Sequence, residues 1–141
     1  MKPFIKNLLK RGCITASFEE TIKEVAGLLA KNSIGAVPVT NENGEVIGIV
    51  SERDIVRNLN KRDVDISNEN VSAIMTKSII SAPKTVSSSD LMEIMTENKI
   101  RHVVIIEDQV LLGIVSIGDV VKRLMEKLEG EAEQLRSFIN S

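Results

Sequence analysis

Apolar residues recur along the first half of the chain with two periods, one typical of helices and one typical of strands. Positions i, i+3, i+4 and i+7 of one segment are Ile22, Val25, Ala26 and Leu29. This spacing predicts a helix over about residues 19–32, and Ser17 and Glu20 have the spacing of a capping box ahead of it. The runs AVPVT and EVIGIVS then surround an Asn-Gly dipeptide, which predicts a β-hairpin. A second helix is predicted to begin near Glu52.

The same order of elements recurs in the second half. Residues 14–59 align with residues 80–124 in a register of 66 before the hairpin and 65 after it. Through this register Gly48, Ile49, Val50, Ser51 and Asp54 coincide with Gly113, Ile114, Val115, Ser116 and Asp119. The helical stripe of the second copy consists of Leu91, Ile94 and Met95, and a hairpin around Asp108-Gln109 leads into a helix near Ile117. Each copy is therefore predicted to be a β-α-β-β-α unit.

The predicted strands are nearly continuous apolar runs, as expected of strands covered on both faces. The predicted fold class is α/β, in detail α+β, with the tandem repeats packed face to face through their sheets and a ligand cleft between them. The predicted segments are an N-terminal helical segment 1–12, a first repeat 13–60, a linker 61–77 with a short helical turn in VSAIM, a second repeat 78–125 and a C-terminal helical tail 126–141.

Composition narrows the classes of function. The hydrophobic share of 43% and the charged share of 27% are those of a soluble globular protein. Because 18 basic and 20 acidic residues nearly cancel, charge does not favour nucleic acid or an anionic membrane as a partner. No run approaches the roughly 18 apolar residues of a membrane span, so a cytoplasmic protein is expected. The single cysteine, Cys13, excludes an internal disulfide and is interpreted as a small apolar residue.

The repeated pattern h-h-G-h-h-S-x-x-D, preceded by a hairpin, resembles the CBS domain family, whose paired domains form a Bateman module. The resemblance covers residues 13–125 and includes ITASFEET, IGAVPVTNENG, the IMT before the second copy, and IRHVVIIED. It implies that the cleft binds an adenosine-containing ligand, with AMP first and ADP, ATP or S-adenosylmethionine as alternatives. It also implies regulation of another protein and no metal requirement for the fold.

The resemblance assigns a role to the two repeated aspartates. Asp54 and Asp119 are implied to hold ribose hydroxyls, since one carboxylate accepts two hydrogen bonds. Ser51 and Ser116 are implied to bond the ribose or a phosphate. Alternatively, these residues cap the helices that follow them, a role compatible with ligand contact.

The two implied sites differ in charge. Residues implied to face the phosphate at Asp54 are Arg53, Arg101 and His102. Residues in the matching places at Asp119 are Gly35, Ala36 and Gly118, and none is a cation. We therefore expect Asp54 to form the principal nucleotide site, although both arginines are also compatible with solvated surface charge. His102 is open to three roles, phosphate donor, general base and metal ligand. No catalytic residue and no metal-ligand set are predicted, because the sequence suggests no partner for either chemistry.

The base pocket follows from the resemblance alone. Main-chain groups of Ile14, Thr15 and Ala16 are implied to meet the adenine at the Asp54 site, and those from Ile80 to Ala82 at the Asp119 site. Val37 and Val103 are implied to form apolar walls. The Thr15 hydroxyl is equally compatible with a ligand hydrogen bond and with an ordinary strand position.

Both ends of the chain carry apolar residues that need cover. In the tail these are Val120, Leu124, Leu128, Leu135 and Ile139, a helical stripe interrupted by Gly130. At the N-terminus they are Phe4, Ile5, Leu8 and Leu9. We expect these segments to close over the module or to meet a second copy, and a homodimer is predicted. A ligand sensor that controls an unidentified effector protein is favoured over a ligand-free interaction scaffold, since no effector domain is expected in 141 residues. An enzyme is the least favoured class.

Overall fold

Two small sheets with flanking helices make up the computed structural model, which describes residues 1–61 and 65–140. Residues 62–64 of the predicted linker and residue 141 of the predicted tail lie outside the described residues. The helices are α1 (Pro3–Leu9), α2 (Ile22–Asn32), α3 (Glu52–Lys61), α4 (Ser88–Asn98) and α5 (Ile117–Asn140), with a 3₁₀ turn at Val71–Ala73. The strands are β1 (Ala16–Ser17), β2 (Ala36–Thr40), β3 (Val46–Ser51), β4 (Ser81–Ala82), β5 (His102–Glu107) and β6 (Val110–Ser116).

The two sheets have the same topology. In the first, β2 lies between β1, its parallel neighbour, and β3, its antiparallel neighbour. In the second, β5 lies between β4 and β6 in the same way. The predicted order β-α-β-β-α is therefore confirmed in both halves, and with it the fold class.

Both hairpins form where they were predicted, with different turns. Gly44 has a φ of +78° in the first turn, a conformation that glycine adopts without steric cost. In the second, Asp108 and Gln109 have φ values of 50° and 67°. Two consecutive left-handed residues match the twist of the flanking strands, which explains how this turn is one residue shorter.

Helix α2 begins three residues later than the capping-box pattern predicted. Its N-cap is Thr21, whose Oγ1 accepts a hydrogen bond from the backbone N–H of Glu24 at 3.1 Å. Ser17 instead pairs with Thr40 in the sheet, so the residues that follow it form a turn rather than the first helical turn. The start predicted near residue 19 is wrong because sheet pairing holds this segment to β2.

Each repeat completes its core with the segment that precedes the other repeat. Ile5 of α1 is fully buried in the core of the second repeat, and Phe4, Leu8 and Leu9 pack against that core. Val71 and Ile74 lie before the second repeat yet belong to the core of the first. Thr76 also pairs with Ile49 of β3. The N-terminal segment therefore closes over the module, one of the two predicted outcomes.

The opposite face of each sheet is buried as well. Ala36 and Pro38 on β2 and Val104 on β5 are buried but lie outside the two helix-side cores. The faces meet near Gly35, where an added Cβ would lie 3.5 Å from the imidazole of His102. The sheets thus face each other, as predicted.

Helix α5 runs without a break through Gly130. Gly130 interrupts the apolar stripe but does not end the helix, because one glycine in a helix costs only about 1 kcal/mol relative to alanine and the residues on both sides favour a helix. Leu128, Leu135 and Ile139 of the stripe are exposed, whereas Val120 is buried and Leu124 packs against the second core.

Candidate functional site

The starts of α3 and α5 carry the same hydrogen-bonded serine-aspartate pair. The backbone N–H and hydroxyl of Ser51 donate to Oδ2 of Asp54 at 2.9 and 3.0 Å, and Ser51 Oγ accepts from the Asp54 N–H at 3.2 Å. Ser116 and Asp119 repeat the three contacts at 2.9, 3.0 and 3.2 Å. These are capping-box contacts. They use only Oδ2, so Oδ1 of each carboxylate is left for another partner.

At Asp119 that partner is Arg11. Nη1 of Arg11 donates to Oδ1 at 2.9 Å and Nη2 donates to Oδ2 at 2.7 Å. Nη2 also donates to the carbonyl of Ile114 at 2.9 Å. The guanidinium is therefore fixed by a bidentate ion pair and a backbone contact. In the described part of the chain, Oδ1 of Asp54 has no hydrogen-bond partner and no residue forms an ion pair with Asp54.

A cavity of about 360 Å³ opens beside Asp119. Its lining comes from both repeats and from the segment before β1, namely Arg11, Gly12, Ile14, Ser33, Ile34, Gly35, Ala36, His102, Ile114, Ser116 and Asp119. Apolar side chains line part of it, and a carboxylate, a hydroxyl and an imidazole supply polar groups. Such a mixture suits a small ligand with one flat apolar part and several hydroxyls.

His102 lies between the two aspartate sites. Its ring packs over Gly35, whose carbonyl accepts a hydrogen bond from the N–H of Glu52 at the start of α3. Burial lowers the pKa of His102, although the charges of Asp119 and Glu52 act in the opposite direction and Arg101 assists the lowering. The imidazole is therefore neutral at pH 7.

The ion pair changes the acidity of its surroundings. Burial raises the pKa of the Asp119 carboxyl, but hydrogen bonds from Arg11 and Ser116 and the charge of Arg11 outweigh burial, so the net pKa is lowered. Burial raises the pKa of the Cys13 thiol, against the weaker opposing effect of Arg11. Asp119 is thus a carboxylate, and Cys13 a thiol, at pH 7.

Comparison with known proteins identifies the family. The family model described as CBS domain matches residues 5–61 and again residues 71–126. The chain belongs to the CBS domain family. Its two CBS domains are the two repeats, and the match includes α1 and the 3₁₀ turn, the segments that cross between the cores.

Solved CBS structures share the fold over most of the chain. A CBS-domain-containing protein from Agrobacterium tumefaciens is 40% identical, with a TM-score of 0.78 and coverage of 84% of this chain and 90% of that one. A CBS domain protein from Pyrobaculum aerophilum, complexed with AMP, is 33% identical, with a TM-score of 0.74 and coverage of 82% and 88%. The CBS domain pair of protein MJ0100, in complex with 5′-methylthioadenosine and S-adenosyl-L-methionine, is 27% identical, with a TM-score of 0.78 and coverage of 87% and 96%.

Curated relatives differ in length. A CBS domain-containing protein of Bacillus subtilis is 30% identical over 129 residues, and the match covers 91% of both chains. A mitochondrial CBS domain-containing protein of Arabidopsis thaliana is 31% identical over 126 residues, but the chain spans only 61% of its length. The CBS pair thus occurs both nearly alone and within longer proteins.

The structure places the predicted site residues in four groups. Those that line the Asp119 cavity are His102, Ser116 and Asp119. Ser51 and Asp54 form the corresponding pair at the start of α3. Those that are exposed are Thr15, Arg53 and Arg101, and Ile80 is half-buried. Those whose side chains are buried in the repeat cores are Ala16, Val37 and Ala82.

Four implied placements are corrected by the structure. Val37 is fully buried in the first core, because strand side chains alternate and its neighbour Ala36 takes the cavity side; Val103 is buried in the second core in the same way. Ile14 lies beside Asp119, not Asp54, because the segment before it runs along β6. The Asp119 site was predicted to face no cation, yet Arg11 binds its carboxylate. His102, which the resemblance assigned to the Asp54 site, lines the Asp119 cavity.

Arg11 is the charged residue of the described cavity lining that sequence reasoning missed, together with the uncharged Gly12, Ser33, Ile34 and Ile114. The repeat register of 66 places it opposite Lys77, so a cation stands at the same point ahead of both copies. Extending the alignment upstream of residue 14 would have found this signal. Elsewhere, the described residues contain no helix long and apolar enough to span a membrane and no group of three or more metal-ligating side chains.

Proposed function

We propose that this CBS pair is a non-catalytic regulatory module that binds an adenine nucleotide of the AMP, ADP or ATP type and signals its presence to a partner protein. The observation that carries the proposal is the free Oδ1 of Asp54 on a carboxylate already held rigid by its helix cap. A rigid acceptor of this kind suits the two neighbouring hydroxyls of a ribose. The AMP complex of the Pyrobaculum aerophilum relative supports the same ligand class.

Charge around Asp54 favours a phosphate-bearing ligand. Applying the repeat register to the lining of the Asp119 cavity gives Lys77, Lys99 and Arg101 as the matching residues around Asp54. Arg53 follows the same helix start. The Asp119 cavity has Arg11 in place of Lys77 but Ser33 and Gly35 in place of the other two cations. AMP at Asp54 is therefore the first candidate.

A second candidate ligand is S-adenosylmethionine, which the MJ0100 relative binds together with 5′-methylthioadenosine. It keeps the adenosine part but carries no phosphate. The distinction matters because the Asp54 surroundings are cationic. If S-adenosylmethionine were the ligand, we would expect it to outcompete AMP.

Calorimetric titration of AMP into matched variants tests the proposal. Asp54→Asn keeps an oxygen for the helix cap but replaces the free acceptor by an amide, and Asp119→Asn makes the same change in the second repeat. We expect the wild type to bind one equivalent of AMP, Asp54→Asn to lose at least about tenfold in affinity, and Asp119→Asn to retain it. Loss of the tight phase in Asp119→Asn alone would reverse the ranking of the sites, and absence of binding in the wild type would favour the scaffold function.

The protein context of the module belongs to the same proposal. We propose a cytoplasmic homodimer that acts on an unidentified effector protein. The exposed apolar stripe of α5 supports assembly, because Leu128 and Leu135 are 60% and 61% exposed in the single chain.

A further inference from the structure

The two repeated aspartates differ in one contact. Asp54 and Asp119 have the same three cap hydrogen bonds, with equal distances. Asp119 additionally receives both terminal nitrogens of Arg11. Its Oδ2 thus accepts from three donors and its Oδ1 from a fourth. A vicinal diol needs acceptor capacity that this carboxylate has already used.

Arg11 is held in place by the fold. Two residues earlier, α1 ends at Leu9, whose side chain covers Gly113 so closely that a Cβ added to Gly113 would lie 2.6 Å from it. The following residue, Gly12, has a φ of +75°, which turns the chain into the strand. With Nη2 also bonded to the carbonyl of Ile114, the guanidinium is anchored to β6 rather than free at the surface.

In the first repeat, the cation at the matching position forms no ion pair with the aspartate. Lys77 occupies the position of Arg11 in the repeat register, yet Asp54 receives no ion pair from any described residue. A lysine offers a single point charge, whereas arginine grips a carboxylate with two parallel bonds. The difference in pairing at the two carboxylates therefore follows from this one pair of residues.

We propose that Arg11 is an intramolecular plug that closes the Asp119 cavity to ribose-containing ligands. The inference rests on the proposed function, because it concerns which of the two sites is open. While the ion pair stands, Asp119 accepts no ribose hydroxyls, and a ligand enters only if Arg11 leaves the carboxylate. The protein thus carries one open site and one closed site.

Adenosine is the probe for the test, because it has the diol and base but no phosphate that could attract Arg11. The titrations use chains in which Asp54→Asn silences the first site. We expect this single variant to bind no adenosine measurably, and addition of Arg11→Ala to raise affinity at least about tenfold, with one equivalent bound. Further addition of Asp119→Asn should abolish the new site. Arg11→Lys, which keeps the charge but loses the bidentate grip, should give an intermediate affinity.

Lys77→Ala in the Asp54→Asn background is the matched control, and it should create no adenosine site. Equal adenosine binding with and without Arg11 would overturn the plug, and weaker binding after its removal would show that Arg11 contacts the ligand instead. Circular dichroism melts verify folding of each variant. The wild-type AMP titration separates the two proposals. Absence of AMP binding would contradict both, whereas binding of one equivalent of AMP without a gain in adenosine affinity from Arg11→Ala would contradict the plug alone.

Discussion

At the scale of single residues, His102 has a pKa that is lowered despite nearby carboxylates. It lies between two acidic groups, Asp119 and Glu52, yet burial still lowers its pKa. An exposed histidine beside two carboxylates would show the opposite shift. The ring therefore contributes packing over Gly35 and a neutral polar surface to the cavity, and it becomes a cation only in acid.

Acidification should destabilise the fold through His102. Its pKa is lower in the folded than in the unfolded chain, where it is about 6.5, so the unfolded chain takes up the proton first. The contribution of His102 to the free energy of unfolding is fully present above pH 6.5, and it is lost as the pH falls through the pKa of His102 in the folded chain. Melting temperatures between pH 7.5 and 5 should fall in the wild type and fall less in His102→Gln.

Proton NMR provides the direct check, since the chain has one histidine and the imidazole resonance is unambiguous. Its titration midpoint should lie below 6.5. A midpoint above that value would show that the carboxylates dominate over burial and would remove the basis for the pH prediction.

The sequence predicted the site residues that occur in both repeats better than those whose contacts occur in only one. Ser51, Asp54 and their counterparts were found because the chain states the pattern twice. Arg11 was not, because its partner Asp119 lies 108 residues away and nothing local records the contact. Val37 was misplaced because an apolar strand covered on both faces loses the alternation that tells one face from the other.

At the scale of elements, two strands are crossed closely by segments from the other half of the chain. A Cβ added at Gly48 of β3 would lie 2.6 Å from Sδ of Met75 and 3.1 Å from the carbonyl oxygen of Thr76. That carbonyl accepts a hydrogen bond from Ile49 at 2.9 Å. At Gly113 of β6 the added atom would meet only the end of the Leu9 side chain.

Gly48→Ala should therefore destabilise the protein more than Gly113→Ala. The backbone of Thr76 cannot move aside without losing its hydrogen bonds to Ile49, whereas the end of the Leu9 side chain can rotate. We expect a loss of about 1–3 kcal/mol in the free energy of unfolding for Gly48→Ala and a smaller loss for Gly113→Ala, measured by urea denaturation. Equal losses in the free energy of unfolding would mean that the backbone at Thr76 moves aside as easily as the side chain of Leu9.

Element boundaries were predictable where local chemistry decided them. The start of α3 near Glu52 and that of α5 near Ile117 follow directly after hairpin strands, and both were correct. The predicted start of α2 was wrong. The Ser17 hydroxyl accepts a hydrogen bond from the N–H of Glu19 within a turn, while the Ser17 backbone pairs with Thr40. Sheet pairing outweighed a local signal.

At the scale of the whole molecule, α5 extends an apolar stripe into solvent. Leu135 is 61% exposed and Ile139 is 70% exposed, and Leu128 continues the exposed part of the stripe toward the middle of the helix. An amphipathic helix without cover in the single chain is typical of an assembly surface.

Charge on the stripe should therefore dissociate the predicted homodimer. Leu128→Glu and Leu135→Glu change exposed residues, so each should alter the stability of the single chain by no more than about 0.5 kcal/mol. We expect the double variant to be monomeric in light scattering coupled to gel filtration, while Glu133→Gln, on another side of α5, remains dimeric. A wild-type chain that is itself monomeric would contradict the prediction.

The exchange of core residues between the repeats has a consequence for how this chain can change. A fragment holding only the second repeat would lack Ile5 and its neighbours from its own interior, and a fragment ending with α3 would lack Val71 and Ile74 from the interior of the first repeat. No single cut in the chain gives two complete halves, because the second core always needs Ile5 from α1 at the start of the chain. The second repeat therefore depends on the whole length of the chain for its interior, and a truncation from the N-terminus removes part of a core more than 70 residues away.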